Sequence, residues 1–269
     1  MSKGINSLLQ KKKKGERIVS LTAYDCPTAR LEEDAGIDFI LVGDSIAMAV
    51  FGEETTLTAD MDVMIAHTRA VRRGAPGTLV IGDMPFGSYE CSDPQAVMNA
   101  ARFLSEGGAD AVKLEGGNSR IVSRVRAIID SGIPVMGHVG LLPQSIRRTG
   151  GYKVIYSDMK ESLFREALAL QEAGVFAMVI EGVEEKLAGQ LTEELAVPTI
   201  GIGAGRFTDG QILVVSDMLG MSGAFRPKFL KVYANLGSEI SRALSEYAEE
   251  VRGGLFPLEE HVYHAREDK

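Results

Sequence analysis

The chain has 269 residues, with 29 Lys and Arg against 37 Asp and Glu, so its formal net charge is −8. This acidic balance argues against a nucleic-acid partner, because domains that bind DNA or RNA carry basic patches. Apolar residues make up 45% and charged residues 25% of the chain, which is ordinary for a globular protein and excludes disorder, collagen and coiled coil for the whole chain. The expected partners are small molecules or protein.

The N-terminal residues Met1–Gln10 lack the apolar core of a signal peptide, and no segment approaches the roughly 18 apolar residues of a membrane span. We therefore expect a cytoplasmic protein without a membrane partner. The two cysteines, Cys26 and Cys91, lie far apart in ordinary sequence. They are expected to be reduced thiols rather than part of a disulfide framework or a zinc site.

Short apolar runs bounded by turn residues recur along the chain, each followed by a longer stretch with helical periodicity. This alternation is typical of parallel strands joined by crossover helices. The predicted strands are Ile18–Ala23, Phe39–Gly43, Leu79–Gly82, Ala111–Leu114, Pro134–Gly137, Phe176–Ile180, Pro198–Ile202 and Ile212–Ser216. Eight strands and this chain length favour a closed (β/α)8 TIM barrel over an open doubly wound sheet, which would use the same units.

Three of the connecting helices have clear boundaries. They are predicted over Asp60–Arg73, Pro94–Ser105 and Ser119–Asp130. No linker rich in Pro or Ser divides the chain, so residues 1–269 are interpreted as one barrel domain.

Two segments fall outside the barrel count. An N-terminal helix is expected within residues 1–16, over Ser7–Gly15, and its run Lys11–Lys14 is interpreted as a solvated helix end rather than a nucleic-acid or lipid patch. Lys228–Arg252 has helical periodicity and predicts a C-terminal helical extension. Pro257–Lys269 is expected to be a charged tail that frays unless a partner subunit orders it.

Polar side chains follow five successive predicted strands. Because catalytic groups of parallel barrels sit at the carboxyl ends of the strands, these side chains are expected to converge on one face. They are Asp44 and Ser45 after the second strand, Asp83 after the third, Lys113 and Glu115 at the fourth, His138 at the fifth and Glu181 at the sixth.

Three of these residues, Asp44, Asp83 and Glu115, are carboxylates that would repel one another if packed together without a cation. All-oxygen ligands favour a hard divalent ion, so the sequence predicts a Mg2+ site, with Mn2+ or Co2+ as possible substitutes. Lys113 and Glu115 are two residues apart and point to the same side of the strand. A buried Lys–Glu pair that only closes the barrel top is the structural alternative.

Glu181 follows the very apolar run 176–180, and such a rim of low dielectric suits a proton acceptor. A helix N-cap or a structural salt bridge is the alternative for this residue. His138 could be a ligand, a proton carrier or a positioning residue; we favour positioning and place it among the substrate-binding residues. The glycine-rich run 201–205 is followed by Arg206 and misses the dinucleotide fingerprint, which argues against NAD but leaves a phosphorylated ligand open.

A series of ordered motifs resembles one family over nearly the whole chain. The motifs are Thr22-Ala23-Tyr24-Asp25, Val42-Gly43-Asp44-Ser45, Ala70-Val71-Arg72-Arg73-Gly74-Ala75, Asp83-Met84-Pro85-Phe86, Val112-Lys113-Leu114-Glu115-Gly116-Gly117, Gly137-His138-Val139-Gly140, Pro143-Gln144-Ser145, Gly150-Gly151-Tyr152-Lys153, Gly201-Ile202-Gly203-Ala204-Gly205 and Thr208-Asp209-Gly210-Gln211-Ile212-Leu213-Val214. In these motifs the sequence resembles the ketopantoate (3-methyl-2-oxobutanoate) hydroxymethyltransferases.

The resemblance implies a (β/α)8 barrel that transfers a one-carbon unit from 5,10-methylenetetrahydrofolate to 3-methyl-2-oxobutanoate, giving 2-dehydropantoate on the route to pantothenate. It implies that Asp44, Asp83 and Glu115 are the Mg2+-site carboxylates and that Ser45 and Lys113 hold the oxo acid together with both aspartates. It further implies that Glu181 is the proton acceptor. Members of the family are typically large homo-oligomers, often decamers, so a homodecamer is expected.

Four positions depart from the expected family pattern, and none is a proposed ligand or base. They are Ala47, Glu53, Leu142 and Gly182. These departures leave room for action on a slightly different oxo acid. Two other functions stay open: a Mg2+-dependent lyase or mutase of a related 2-oxo acid, and a non-catalytic barrel that serves as a scaffold.

Overall fold

The structure is a computed structural model that describes residues 4–151, 153–223 and 227–264. The described residues form two compact units. One comprises those within 1–215 together with 227–230, and the other comprises those within 216–226 and 231–269. The sequence predicts that residues 1–269 form one domain, and this stays a prediction.

The first unit contains a closed barrel of eight parallel strands in chain order, which confirms the predicted fold. The strands are β1 (Ile18–Thr22), β2 (Phe39–Val42), β3 (Leu79–Asp83), β4 (Ala111–Lys113), β5 (Val135–Gly140), β6 (Ala177–Glu181), β7 (Thr199–Ile202) and β8 (Gly210–Leu213). Six predicted strands are within one residue of the observed bounds at each end, and the other two had ends that were wrong by more than that. β5 extends to Gly140 because that residue still pairs with Glu181 on β6. β8 begins at Gly210 and ends before Ser216, because a helical turn starts at Val215.

The strands are almost continuously apolar because parallel barrel strands are covered on both faces. Side chains that point into the barrel form one buried cluster with Leu8 from the N-terminal helix. This interior layer comprises Ile18, Phe39, Leu41, Leu79, Ile81, Ala111, Met136, Ala177, Val179, Ile200 and Ile212. Since side chains alternate along a strand, the next inward position lies two residues further on.

The helices are α1 (Ile5–Lys14), α2 (Cys26–Asp34), α3 (Ile46–Ala49), α4 (Met61–Gly74), α5 (Asp93–Ser105), α6 (Ser119–Asp130), α7 (Ile146–Thr149), α8 (Lys160–Ala173), α9 (Glu185–Glu194), α10 (Val215–Met218) and α11 (Leu236–Gly253). Short 3-10 helices span Thr56–Thr58, Pro143–Ser145, Ser157–Met159 and Glu259–His261. The three helices with clear sequence boundaries are confirmed within a residue at each end as α4, α5 and α6. Each begins after a side chain that accepts a hydrogen bond from its first turn: Asp60, Ser92 and Asn118.

Helix α1 lies at the amino end of the barrel, where its buried Leu8 joins the interior layer. The interpretation of Lys11–Lys14 as a solvated helix end was wrong for its first half. Lys11 Nζ lies 2.6 Å from Asp38 Oδ2, and Lys12 Nζ lies 2.8 Å from Asp209 Oδ2. Asp38 and Asp209 directly precede β2 and β8, so these two lysines tie α1 to the strand starts. Only the second half of the run, Lys13 and Lys14, is exposed.

The second unit contains α11, which begins at Leu236 rather than at Lys228 as predicted. The residues just before it are not helical because their backbone bonds elsewhere: the Tyr233 amide donates to the Met218 carbonyl. None of the residues of α11 is buried in the chain. Part of the predicted charged tail, residues 265–269, lies outside the described residues.

Two expectations about the whole chain can be compared with the described residues. Both Cys26 and Cys91 are free, in agreement with the predicted reduced thiols. No helix among the described residues has the length and apolar character needed to span a bilayer.

Candidate active site

Four ionisable side chains line the inside of the barrel at its carboxyl end. Each lies two residues beyond a member of the apolar interior layer, so strand alternation points it inward. They are Asp83 on β3, Lys113 on β4, His138 on β5 and Glu181 on β6. His138 was predicted at a strand end but lies inside β5, because that strand runs on to Gly140. The predicted convergence of these residues is therefore confirmed.

Lys113 is the buried cation of this cluster. Its Nζ lies 2.8 Å from Asp83 Oδ1, 3.9 Å from Glu115 Oε1 and 3.3 Å from His138 Nδ1. Asp83 Oδ2 also accepts a hydrogen bond of 3.1 Å from the backbone amide of Asp44, which brings the loop after β2 onto β3. One lysine thus faces three carboxylates, from β3 and from the loops after β2 and β4.

His138 lies between two carboxylates. Its Nδ1 is 3.4 Å from Glu115 Oε1, and its Nε2 is 3.3 Å from Glu181 Oε2. Burial and Lys113 lower the pKa of His138, but Glu115 and Glu181 outweigh them and raise it to about 9. The imidazole is therefore charged at neutral pH and lies between the two carboxylates, although its Nε2 makes no hydrogen bond among the described residues. This placement fits the positioning role favoured by the sequence.

The pKa values of the buried carboxylates shift in different directions. Burial raises the pKa of Asp44 well above its ordinary value, and the neighbouring Asp83 and Glu115 raise it further. Burial opposes ionisation of Glu115 as well, but His138 and Lys113 hold its pKa below the usual range. Asp44 is thus the carboxylate whose negative charge is least compensated.

This imbalance bears on the predicted metal site. Among residues 4–151, 153–223 and 227–264, no group of three or more His, Cys, Asp or Glu side chains is arranged to hold a metal ion. Among the described residues the buried Asp83 Oδ1 nevertheless has no hydrogen-bond partner and is held by its ion pair with Lys113. Mg2+ often binds through only one or two carboxylates and keeps several waters. The oxygen chemistry of Asp44 and Asp83 and the weakly compensated charge of Asp44 therefore fit Mg2+.

Ser45 is held by an aromatic residue that the strand-end argument passed over. Its Oγ is 2.8 Å from the Tyr24 Oη, and Tyr24 is buried just beyond β1. The His67 Nδ1 in turn lies 2.5 Å from the Tyr24 carbonyl oxygen. Because Ser45 directly follows Asp44 after β2 and bonds to Tyr24 just beyond β1, it lies at the same end of the barrel as Asp44.

Two further buried polar side chains complete the site and were not among the predicted residues. Gln144, in the 3-10 helix after β5, donates from Nε2 to Asp44 Oδ2 at 2.9 Å, and its backbone amide donates to Glu115 Oε2 at 3.1 Å. Tyr89, in the loop after β3, donates to Gln144 Oε1 at 2.5 Å. The sequence did carry a signal for Gln144, which lies in the quoted motif 143–145. Gln144 lies four residues beyond the end of β5, in a 3-10 helix, so the polar residues at the strand ends do not include it.

The glycine-rich run after β7 packs against side chains. A Cβ at Gly203 would lie 2.8 Å from Phe229 Cδ1, and one at Gly205 would overlap Glu185 Cγ. The Glu185 carboxylate next to the run accepts hydrogen bonds from the backbone amide and the guanidinium of Arg206. Close packing therefore explains these glycines, and the phosphorylated ligand left open by the sequence stays open.

One departure from the family pattern has a structural reason. Gly182 follows β6 with a φ of +58°, and a Cβ there would lie 2.9 Å from Leu141 Cβ. Both the left-handed backbone and the close contact require glycine. The change next to Glu181 is thus tied to the local path of the chain. Of the others, Ala47 is buried and Glu53 is exposed.

The sequence profile of the ketopantoate hydroxymethyltransferases matches residues 2–259. The 3-methyl-2-oxobutanoate hydroxymethyltransferase of Pseudothermotoga lettingae is 54% identical over 260 residues, covering 96% of this chain and 98% of the relative. That of Syntrophomonas wolfei is 50% identical over 266 residues, covering 98% and 96%. The chain belongs to the ketopantoate hydroxymethyltransferase family. Membership confirms the resemblance drawn from the sequence motifs.

Solved structures that resemble this family member share its fold at low sequence identity. A phosphonopyruvate hydrolase in complex with oxalate and Mg2+ superposes with a TM-score of 0.63 at 14% identity, covering 98% of this chain and 92% of that chain. A 2,3-dimethylmalate lyase of the PEP mutase/isocitrate lyase superfamily superposes with a TM-score of 0.60 at 19% identity, covering 98% and 92%. These likenesses support the barrel fold.

Proposed function

We propose that this protein is a 3-methyl-2-oxobutanoate hydroxymethyltransferase, which uses 5,10-methylenetetrahydrofolate to convert 3-methyl-2-oxobutanoate into 2-dehydropantoate. The observation that carries this proposal is the buried cluster of Asp44, Asp83, Lys113, Glu115 and His138 beside Glu181, in a chain about half identical to enzymes of that name. The cluster combines charge that can hold an oxo acid with a carboxylate that can take a proton.

The substrate is an anion, so it needs positive charge at the barrel mouth. Lys113 and the charged His138 supply two buried cations, and the Ser45 hydroxyl adds a hydrogen-bond donor. Asp44 and Asp83 would hold Mg2+, with Glu115 nearby, and the bound ion would act as a Lewis acid on the keto group of the substrate. Low dielectric strengthens each of these interactions.

The proton that must leave the branched carbon of the oxo acid goes to Glu181. Its carboxylate is partly exposed, with 21% of its side chain accessible, so it can reach a substrate. His138 Nε2, 3.3 Å from Glu181 Oε2, fixes the orientation of the carboxylate. The resulting enolate carbon bonds to the methylene carbon as one of the two C–N bonds of that carbon to the folate breaks, and Lys113 offsets the negative charge of the enolate. Water then replaces the second folate nitrogen on this carbon, which gives the hydroxymethyl group and releases tetrahydrofolate.

A cavity of about 310 Å3 supports the folate co-substrate. It lies beside Leu141, whose backbone amide donates to the Glu181 carbonyl oxygen at 2.8 Å. Its lining is mostly apolar, with Arg148 and Glu166 among the polar exceptions. An apolar cleft with a cation suits a flat ring system that carries a carboxylate tail.

The oligomer is also a proposal. The four apolar residues Ile240, Leu244, Tyr247 and Val251 form a stripe along α11, and each is more than 40% exposed in the single chain. Spacings of three and four residues place them on one helix face. Such a face is stabilised by packing on a second copy, which supports a homo-oligomer; a decamer is the proposed size. Analytical ultracentrifugation of the full chain would measure it.

A product assay tests the function. Purified protein is incubated with 3-methyl-2-oxobutanoate, tetrahydrofolate and formaldehyde, with Mg2+, with EDTA, and with EDTA followed by excess Mg2+. We expect 2-dehydropantoate in the first and third samples and little in the second. The folds of the 2,3-dimethylmalate lyase and the phosphonopyruvate hydrolase favour a Mg2+-dependent lyase or mutase as the second candidate. Cleavage of 2,3-dimethylmalate or phosphonopyruvate without formation of 2-dehydropantoate would support that candidate. A protein that is inactive in all of these assays would support the scaffold.

A further inference from the structure

Gln144 donates hydrogen bonds to two carboxylates of the site, Asp44 and Glu115. Its side-chain amide donates to Asp44 Oδ2 at 2.9 Å, and its backbone amide donates to Glu115 Oε2 at 3.1 Å. Gln144 is 7% exposed, and both carboxylates are buried as well. A single residue therefore links Asp44 and Glu115.

The orientation of the Gln144 amide follows from its partners. Nε2 faces two acceptors, Asp44 Oδ2 and the Met84 carbonyl oxygen at 3.0 Å, while Oε1 faces the Tyr89 hydroxyl. The flipped amide would set its oxygen against two acceptors, which the hydrogen-bonding chemistry forbids. All the hydrogens of the side-chain amide are thus used.

Tyr89 fixes Gln144 from the opposite side. It is 2% exposed, its Oη is 2.5 Å from Gln144 Oε1, and it accepts a hydrogen bond of 3.4 Å from the Glu115 backbone amide. The loops after β3 and β5 are therefore locked onto the loop that carries Glu115. Neither Gln144 nor Tyr89 brings a positive charge that would compete with a cation for the carboxylates.

We infer that Gln144 is a positioning residue that holds Asp44 and Glu115 apart in the geometry that binds Mg2+, and that Tyr89 acts through Gln144. This inference rests on the proposed function for the identity of the ion and the oxo acid. A hydrogen-bonded neighbour of a metal-binding carboxylate orients it, and the loss of such a neighbour typically weakens metal binding or activity by roughly 10- to 100-fold.

The test measures Mg2+ binding to the purified full chain by calorimetry with MgCl2 alone, and KM and kcat with the oxo acid. Gln144→Met keeps the length of the side chain but removes its hydrogen bonds, and we expect about a tenfold higher Kd for Mg2+ and a higher KM. Tyr89→Phe removes only a hydroxyl, so we expect a smaller increase of about threefold. The double variant should be no weaker than Gln144→Met, because Tyr89 acts through Gln144.

Gln171→Met is the matched control. Gln171 Oε1 accepts hydrogen bonds from the backbone amides of Ala196 and Val197, on the outer layer of the barrel. This variant loses comparable hydrogen bonds and should keep the Mg2+ affinity of the wild type. Should Gln144→Met fail to fold, Tyr89→Phe alone decides the matter.

The inference is overturned if the Kd for Mg2+ of Gln144→Met, or of Tyr89→Phe where only that variant folds, stays within about twofold of wild type. Additive effects in the double variant would overturn the role of Tyr89. The metal titration is independent of turnover. A wild-type chain that makes no 2-dehydropantoate while the variants shift the Kd would refute the proposed function and support this inference.

Discussion

Lys113 Nζ lies 2.8 Å from Asp83 Oδ1, and both side chains are buried inside the barrel. The parallel register of β3 and β4 places the two residues directly opposite each other. A buried pair of this kind leaves an uncompensated charge if one partner is removed. Lys113 is therefore a built-in cation that partly neutralises the carboxylates before any ligand arrives.

Lys113→Met should separate metal binding from catalysis. Without the lysine, Asp83 and Glu115 attract Mg2+ more strongly, so we expect a lower Kd for Mg2+ in calorimetry. The oxo acid loses a cation, so kcat/KM should fall by roughly 100-fold or more. Lys160→Met is the control, because Lys160 is exposed and bonds only Gln190 among the described side-chain hydrogen bonds. Weaker Mg2+ binding in Lys113→Met would contradict this description of the pair.

Glu181→Gln should abolish proton abstraction while keeping the oxo acid bound. The amide retains the shape of the side chain and its place beside His138, whose Nε2 lies 3.3 Å from the Glu181 carboxylate, but it cannot take a proton. Exchange of the C3 proton of 3-methyl-2-oxobutanoate in deuterated water, followed by NMR, measures this step directly. Glu185 lies on α9 and forms an ion pair with Arg206, so the control variant Glu185→Gln should catalyse the exchange at the wild-type rate. Unchanged exchange in Glu181→Gln would remove this residue from the role of base.

Glu32 should make the stability of the chain depend on pH. It is 4% exposed on α2, and neither carboxylate oxygen has a hydrogen-bond partner among the residues that the structure describes. Burial, followed by the nearby Asp25, raises its pKa from 4.5 to about 8. Between these two values the folded chain keeps a proton that the unfolded chain has lost. Stability therefore falls as the pH rises from about 4.5 to about 8, by up to about 1.4 kcal/mol per pH unit.

Glu32→Gln removes this contribution, so the variant should become progressively more stable than the wild type from pH 5 to pH 8. The difference should level off above pH 8. Thermal unfolding across that range measures it, and Asp34→Asn, an exposed change on the same helix, should give a constant difference. Parallel curves for Glu32→Gln and wild type would show that Glu32 ionises normally in the folded chain.

Lys12 should contribute to stability and not to turnover. Its Nζ lies 2.8 Å from Asp209 Oδ2 with both side chains largely covered, so Lys12→Met leaves a partly buried carboxylate without its cation. We expect a loss of about 1–3 kcal/mol in the free energy of unfolding and unchanged kcat/KM. The neighbouring Lys13 is exposed, so Lys13→Met should be close to neutral. Equal stability of the two variants would show that the ion pair contributes nothing.

The positions of Asp83, Lys113 and Glu181 could be predicted because each continues the alternation of an apolar strand. A buried parallel strand must be apolar on both faces, so a charged residue at its end stands out from the sequence. The closure of the barrel then brings such ends together, whatever their separation along the chain.

Gln144 could not be found in this way. Its partners Asp44 and Tyr89 are 100 and 55 residues away in the chain, and a 3-10 helix beyond a strand has no period that points at them. The prediction that Lys11 and Lys12 are solvated was wrong for a similar reason. A run of lysines does not indicate which carboxylates lie near it in the folded chain, here Asp38 and Asp209 at the strand starts. Contacts made by loops and helix ends depend on the completed fold, which local patterns do not contain.

Leu8 fills the amino end of the barrel interior, with Lys11 and Lys12 fastened to the strand starts around it. The groups that we expect to react lie at the other end of the same strands. Amino-acid changes around Leu8 can therefore raise or lower heat tolerance while turnover stays the same. Lineages that live at different temperatures could adapt by altering one end of this barrel and leaving the other untouched.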